Sequence, residues 1–156
     1  MPTATLKINH VGISVPDLDA AVAWYTEHLG FRQLKPNVLH KRDESIDRNK
    51  DKNFFRIHPE PVREVKVAYL AAGNGIGFEL FEFLDPKHQV SPGFGPDMFT
   101  RTGCYHIAVT TEDPVALCEK LVGVGATQIG DPARLANGDV VLYLRDPCGV
   151  ILELCS

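Results

Sequence analysis

The sequence predicts an α+β protein built from two tandem βαβββ modules, and three observations carry that prediction. A segment near the start, Asn9-His10-Val11-Gly12-Ile13-Ser14-Val15-Pro16-Asp17, returns in weaker form at Tyr105-His106-Ile107-Ala108-Val109-Thr110-Thr111-Glu112-Asp113. Each copy passes from two-residue alternation to helical periodicity directly after an aspartate suited to cap a helix. Each is then followed by short apolar runs, the last of which carries a glutamate, Glu79 in the first copy and Glu153 in the second. The modules are placed at 1–84 and 103–156, with a linker at 85–102.

The elements follow in order. Leu6 to Val15 alternates and stops at Pro16, which cannot donate to a ladder, so it reads as a strand with Val11, Ile13 and Val15 on one face and His10, Gly12 and Ser14 on the other. Asp17 caps a helix with Leu18, Val22, Tyr25 and Leu29 on its inner stripe, ended by Gly30 and covering the Val11 face. Phe31 to Leu39 reads as a strand interrupted by Pro36. Residues 40–64 are charged and proline-punctuated, and read as an insertion, either a solvated excursion or a lid over a pocket. Val65 to Leu70 and Ile76 to Leu84 form a hairpin around Asn74-Gly75, with Glu79 on the face of Phe81 and Phe83 and Glu82 on the other. In the second module a strand bearing Cys104, His106, Ala108 and Thr110 on one face precedes a helix capped by Asp113, with Pro114 at its first position and Gly123 and Gly125 at its end. Strands at Thr127 to Ile129, Val140 to Arg145 and Val150 to Cys155 complete it.

Composition narrows the function classes. With 44% hydrophobic and 23% charged residues among 156, the chain can bury an ordinary core, and no apolar run approaches the roughly 18–20 residues of a membrane span. The N-terminus lacks the basic start and apolar stretch of a secretory signal, so a cytoplasmic protein is expected. The four cysteines, Cys104, Cys118, Cys148 and Cys155, show no C-x-x-C spacing and read as small buried apolar residues. A net charge of −4 with scattered basic residues offers no footprint for nucleic acid, leaving a small molecule as the expected partner.

Each module therefore holds a histidine in its first strand and a glutamate in its last: His10 and Glu79, then His106 and Glu153. Singly, each reads as a polar-face histidine or a strand-edge charge. A carboxylate within an apolar strand such as Val150-Ile151-Leu152-Glu153-Leu154 is costly unless paired or metal-bound, and the oddity occurs twice. Two imidazoles and two carboxylates suit one divalent Zn, Ni, Mn, Fe or Co ion, and an octahedral ion would keep two positions for substrate oxygens. Glu82 rivals Glu79 but has the wrong parity. His28, His40, His58 and His88 read as surface residues, with His58 the one placed for a lid contact.

The segments His10 to Val15 with Leu18 to Tyr25, Phe78-Glu79-Leu80, His106 to Val109, and Asp146-Pro147-Cys148-Gly149 through Leu154 resemble the vicinal oxygen chelate superfamily, which includes glyoxalase I, methylmalonyl-CoA epimerase, extradiol dioxygenases and bleomycin resistance proteins. The resemblance implies curled mixed sheets forming a cup around a divalent metal, with His10, Glu79, His106 and Glu153 as ligands, Glu153 able to move a proton, and a homodimer. It points to a metal-dependent lyase or isomerase, epimerase-like, that shifts a proton on a small carbonyl substrate, with Glu153 the first choice of base and Glu79 the second. Ser14 stands where glyoxalase I often carries an arginine for glutathione. Two alternatives stay open: an Fe(II) extradiol-type dioxygenase, and a metal-free binding protein with Phe54, Phe55, Phe81, Phe83, Phe94 and Phe99 as an aromatic wall.

Overall fold

In each half a strand, a capped helix and three more strands follow in turn, in a computed structural model that describes residues 4–42, 52–58, 60–90 and 93–156. The first half contains β1 (His10–Ser14), α1 (Leu18–Leu29), β2 (Arg32–Lys41), α2 (Lys52–Arg56), β3 (Glu64–Ala71) and β4 (Gly77–Asp85). The second contains α3 (Pro96–Phe99), β5 (Ile107–Thr110), α4 (Pro114–Val122), β6 (Thr127–Arg134), β7 (Val140–Arg145) and β8 (Ile151–Cys155). The chain divides into two compact units, 1–89 and 90–156. Each holds one open four-stranded mixed sheet, ordered β1-β4-β3-β2 and β5-β8-β7-β6. In both, the first strand lies parallel to the last and the other pairs are antiparallel.

The repeated capping device is real. Asp17 accepts the Ala20 N–H at 3.0 Å and Asp113 accepts the Ala116 N–H at 3.0 Å, satisfying an orphan donor at each helix start. Gly30, at φ 68°, ends α1 in the left-handed conformation that a side chain resists. In the second unit Gly123 stays right-handed at φ −60° and the reversal falls on Gly125, φ 98°, which lets Ala126 N–H reach Leu121 C=O at 3.0 Å.

The core forms beneath the helices. Leu18, Ala21 and Tyr25 are fully buried, and Tyr25 packs against Phe31 and Phe78, while Val22 and Leu29 are only half-buried. Helix α1 packs on β2, β3 and β4 more than on β1, so the Val11 face is only partly covered although Val15 is fully buried. In the second unit Cys118 and Leu121 face Leu142, Leu144 and the β8 residues Leu152 and Leu154 in the same way.

Several expectations need correction. The first strand begins at His10 rather than Leu6, because Leu6 and Ile8 are exposed and bury no face that would hold them in the sheet among the described residues. Pro36 does not break its strand; β2 runs through it by two register shifts. Strand β6 extends to Arg134, past the expected end at Ile129, by a similar shift. The insertion contains α2 and the linker contains α3, neither of which was expected. The charged residues at 43–51, part of the stretch read as either a solvated excursion or a lid, lie outside the described residues. Cys104 is exposed, Cys118 is buried, Cys148 and Cys155 are half-buried, and none of the four forms a disulfide.

Candidate functional site

The parallel strand pairs at the edges place the histidines. In the first unit Gly12 is the Cα partner of Glu79, and in the second Ala108 is the partner of Glu153. His10 and His106 stand two residues before those partners, so each lies on the same face as its glutamate. His10 Nε2 is 3.8 Å from Glu79 Oε2, and His106 Nε2 is 2.9 Å from Glu153 Oε2. The first pair is the more open, with the His10 side chain 47% exposed against 25% for His106. A Cβ on Gly77 would stand 2.8 Å from His10 Cβ, so glycine there admits the histidine to the ladder. Ile151 takes the corresponding place in the second unit, and the ladder begins at Ile107, leaving His106 just outside β5.

Glu82 faces the other way, as parity requires. Its carboxylate accepts the Leu18 N–H at 3.1 Å, at the start of α1, and pairs with Lys66 Nζ at 3.2 Å. It is a helix-anchoring residue, stabilised by the partial positive charge of the helix N-terminus. The hydrogen bond that Lys66 Nζ donates to Glu82, and then the Glu82 charge, raise the Lys66 pKa.

A third member of each constellation escaped sequence reasoning. Tyr69 is the antiparallel partner of Glu79, and Tyr143 is the partner of Glu153. Burial, then the Glu79 charge, raises the Tyr69 pKa. Tyr143 is pushed up to about 12 by its hydrogen bond to Tyr105, then by burial and by Glu153. Its ring meets His106 edge-on with centroids 5.2 Å apart, and Tyr105 flanks His106 at 4.4 Å. The signal was present: Ala68-Tyr69-Leu70 and Leu142-Tyr143-Leu144 stand equally far ahead of their glutamates. Ultraviolet titration of phenolate should find Tyr143 ionising last, near pH 12. Because folding raises this pKa, the stability it contributes is present below pH 10 and is lost as pH rises through 12. An unchanged titration curve for Tyr143→Phe would refute the assignment.

The remaining candidates separate by unit. On the Glu79 face, Phe54 and Phe55 of α2 pack with Phe81, Phe83 and Tyr69 over Val62, Val65 and Val67. His40 and His58 stack on either side of that cluster's Phe54, at 4.0 and 4.2 Å, so neither is a plain surface residue. Phe94 instead meets Phe99 and Tyr143 in the second unit, so the six phenylalanines form two groups. Ser14, on the His10 face, lies 2.9 Å from His88 Nδ1. His28 rests edge-on against Trp24.

Residues 7–154 match the family model described as the Glyoxalase/Bleomycin resistance protein/Dioxygenase superfamily. The chain belongs to this superfamily. Among its superfamily relatives is an ethylmalonyl-CoA/methylmalonyl-CoA epimerase of Cereibacter sphaeroides, 30% identical over 95% of this chain and 96% of the relative. A 2-epi-5-epi-valiolone epimerase of Actinomyces sp. is 28% identical over 97% of this chain and 79% of its own. A probable lactoylglutathione lyase of Synechocystis is 25% identical over 93% and 91%. A solved glyoxalase family protein from Bacillus cereus shares the fold, with a TM-score of 0.78 and 21% identity over 98% of this chain and 95% of that one.

The donor set can be tested against a superfamily metal. Two ligands about 2.1 Å from one ion stand about 3.0 Å apart at a right angle and about 3.4 Å apart at the tetrahedral angle. The observed His–Glu separations of 2.9 and 3.8 Å bracket those values. His10 Nδ1 lies 2.8 Å from Asn9 Oδ1, an acceptor placed for an Nδ1–H, the tautomer that would leave Nε2 available as a ligand. His106 Nδ1 is buried without such a partner among the described residues. No group of three or more His, Cys, Asp or Glu side chains is gathered at one point among the described residues. Each unit brings together one His–Glu pair. No described helix is long and apolar enough to cross a membrane.

Proposed function

We propose that the protein is a divalent-metal-dependent epimerase or lyase that shifts a proton on a small oxygenated carbonyl compound. The observation that carries this reading is the duplicated His–Glu pair, in the same register on the same kind of parallel strand pair in both units. Epimerases and lactoylglutathione lyases among the relatives support the reaction class.

In this reading His10, Glu79, His106 and Glu153 jointly hold one ion, the two half-sites being supplied by one chain or by two copies in a homodimer. When bound, the ion supplies a Lewis acid that stabilises negative charge on the substrate oxygen. Glu153 takes the proton from the carbon beside the carbonyl, and the freed electron pair moves into the carbonyl to give an enolate. Delivery of a proton to the opposite face by a second acid, for which Glu79 is the candidate, gives the epimer; where the first carbon carries a hydroxyl that gives up its own proton, return of the abstracted proton to the former carbonyl carbon gives the isomer. Tyr143, across the strand pair from Glu153 and held by Tyr105, orients the carboxylate as it takes and releases the proton. Asn9 does the same for the His10 ring.

Metal content decides the ligand assignment. Protein purified without added metal or affinity tag should carry or take up one ion per pair of half-sites, and His10→Ala, His106→Ala and Glu153→Ala should each lose it. Full metal content in all three variants would sink the assignment. Turnover of methylmalonyl-CoA, 2-epi-5-epi-valiolone or lactoylglutathione by the Ni- or Co-loaded protein, without oxygen consumption, tests the reaction class. Oxygen uptake with catechols and Fe(II) would transfer the reading to a dioxygenase.

A further inference from the structure

The two units match across one rung of their sheets and then part company. In the first, Gly12, Glu79, Tyr69 and Lys35 stand side by side on β1, β4, β3 and β2. In the second the same rung reads Ala108, Glu153, Tyr143 and Ile129. The difference at the last position is made by a bulge. In β6, Gln128 and Ile129 pair consecutively with Leu144 and Tyr143. In β2, Gln33 pairs with Leu70 but the next partner, Tyr69, is taken by Lys35, so Leu34 is pushed out of register. Leu34 is left 50% exposed, and a second shift follows before Val38.

A bulge that leaves a leucine half in water and puts a lysine in its place is an arrangement with a cost. Bulges re-aim side chains, and are common beside active sites. Here the result is a Lys35 ammonium 3.5 Å above the centre of the Tyr69 ring, next to the tyrosine's other neighbour, Glu79. Lys41 and Lys66, on the same sheet, pair with Glu64 and Glu82. Among the described residues no carboxylate pairs with Lys35. The ring face holds the cation without neutralising it. Strand spacing puts Lys35 about 10 Å across the sheet from Glu79, within reach of the far end of a small molecule held at the His10–Glu79 pair.

We propose that Lys35 is a specificity-determining residue that binds an anionic group, carboxylate or phosphate, carried by the substrate away from its reacting carbon. The proposal rests on the metal reading for the position of the substrate's other end. The first unit thereby selects charge, while Ile129 leaves the second unit apolar at the same place.

The test uses three probes with oxygens on adjacent carbons at one end and different tails: 2-oxopentanoate with a neutral tail, 2-oxoglutarate with a carboxylate and 3-phosphoglycerate with a phosphate. Calorimetry on the full chain, loaded with Ni and free of metal, measures binding of each. At least one charged-tail probe should bind the wild type more tightly than 2-oxopentanoate, and whichever does identifies the anion. Lys35→Met should weaken that probe by about tenfold, the contribution of one charge-assisted hydrogen bond, and leave 2-oxopentanoate unchanged. Lys35→Arg should restore most of the preference. No charged-tail preference in the wild type, or one that survives Lys35→Met, overturns the proposal. Metal content is recorded alongside, so that stoichiometric metal with a Lys35-independent preference refutes this inference alone, and a Lys35-dependent preference without metal uptake refutes the metal reading alone.

Discussion

Glu153→Gln should lower turnover by about 10²–10⁴-fold, the usual weight of a positioned general base. Glutamine keeps the shape of the side chain and its amide oxygen can still face His106 Nε2, now 2.9 Å from Glu153, but an amide cannot accept the proton. Loss of catalysis should therefore exceed any loss of stability, because Glu153 is 20% exposed and lies at the open face while its neighbours Leu152 and Leu154 carry the packing. The corresponding Glu79→Gln variant should lose less in an isomerisation, where Glu79 serves as a ligand and only Glu153 moves the proton. Rates for the two variants with the preferred substrate check the assignment, and equal losses in an isomerisation would place the base elsewhere. Exchange of the substrate's mobile hydrogen for solvent deuterium provides a readout independent of product formation.

Glu82→Ala should destabilise the first unit by about 1.5–3 kcal/mol, the range for a charge-assisted hydrogen bond to a backbone donor that is left unsatisfied. The substitution strips the Leu18 N–H of its acceptor at the start of α1 and leaves Lys66 without its carboxylate. Metal uptake should be unaffected. Glu79→Ala should do the reverse, losing metal with little change in the denaturation midpoint, since its side chain is partly exposed and anchors no helix. Chemical denaturation and metal analysis of the two variants form a crossed test. If Glu82→Ala abolishes metal binding in a folded protein, the rival carboxylate wins.

The parts of this architecture that were legible in the sequence are those set by short-range rules. Asp17, Asp113 and Gly30 sit where caps and terminators belong, and two-residue parity placed Glu79 and Glu82 on opposite faces. The His–Glu pairing followed from repetition, and the parallel register shows each pair on one face. What was not legible depends on pairing between distant strands. Nothing local marks Leu34 as the expelled residue, since a bulge is defined only by the partner strand it slips against. Tyr69 and Tyr143 looked like apolar strand residues because their significance comes from the glutamate across the ladder. The short helix α2 lies in a charged stretch with no amphipathic run long enough to announce it, and is held by Phe54 and Phe55 packing on the sheet.

The hairpin of β3 and β4 has a consequence for how the chain can change length. A one-residue insertion or deletion within β4, ahead of Glu79, would exchange the two faces of the strand, turning Glu79 under the helix and Phe78 and Leu80 into water. The turn at Ala72–Ile76, closed by Ala72 N–H to Ile76 C=O at 2.9 Å, transmits any such slip to Tyr69 as well. Residues added between β2 and β3 disturb neither parity, and that is where the first half carries its surplus over the second. The first half has thus grown at the joint where added length leaves both members of its histidine and glutamate pair in phase.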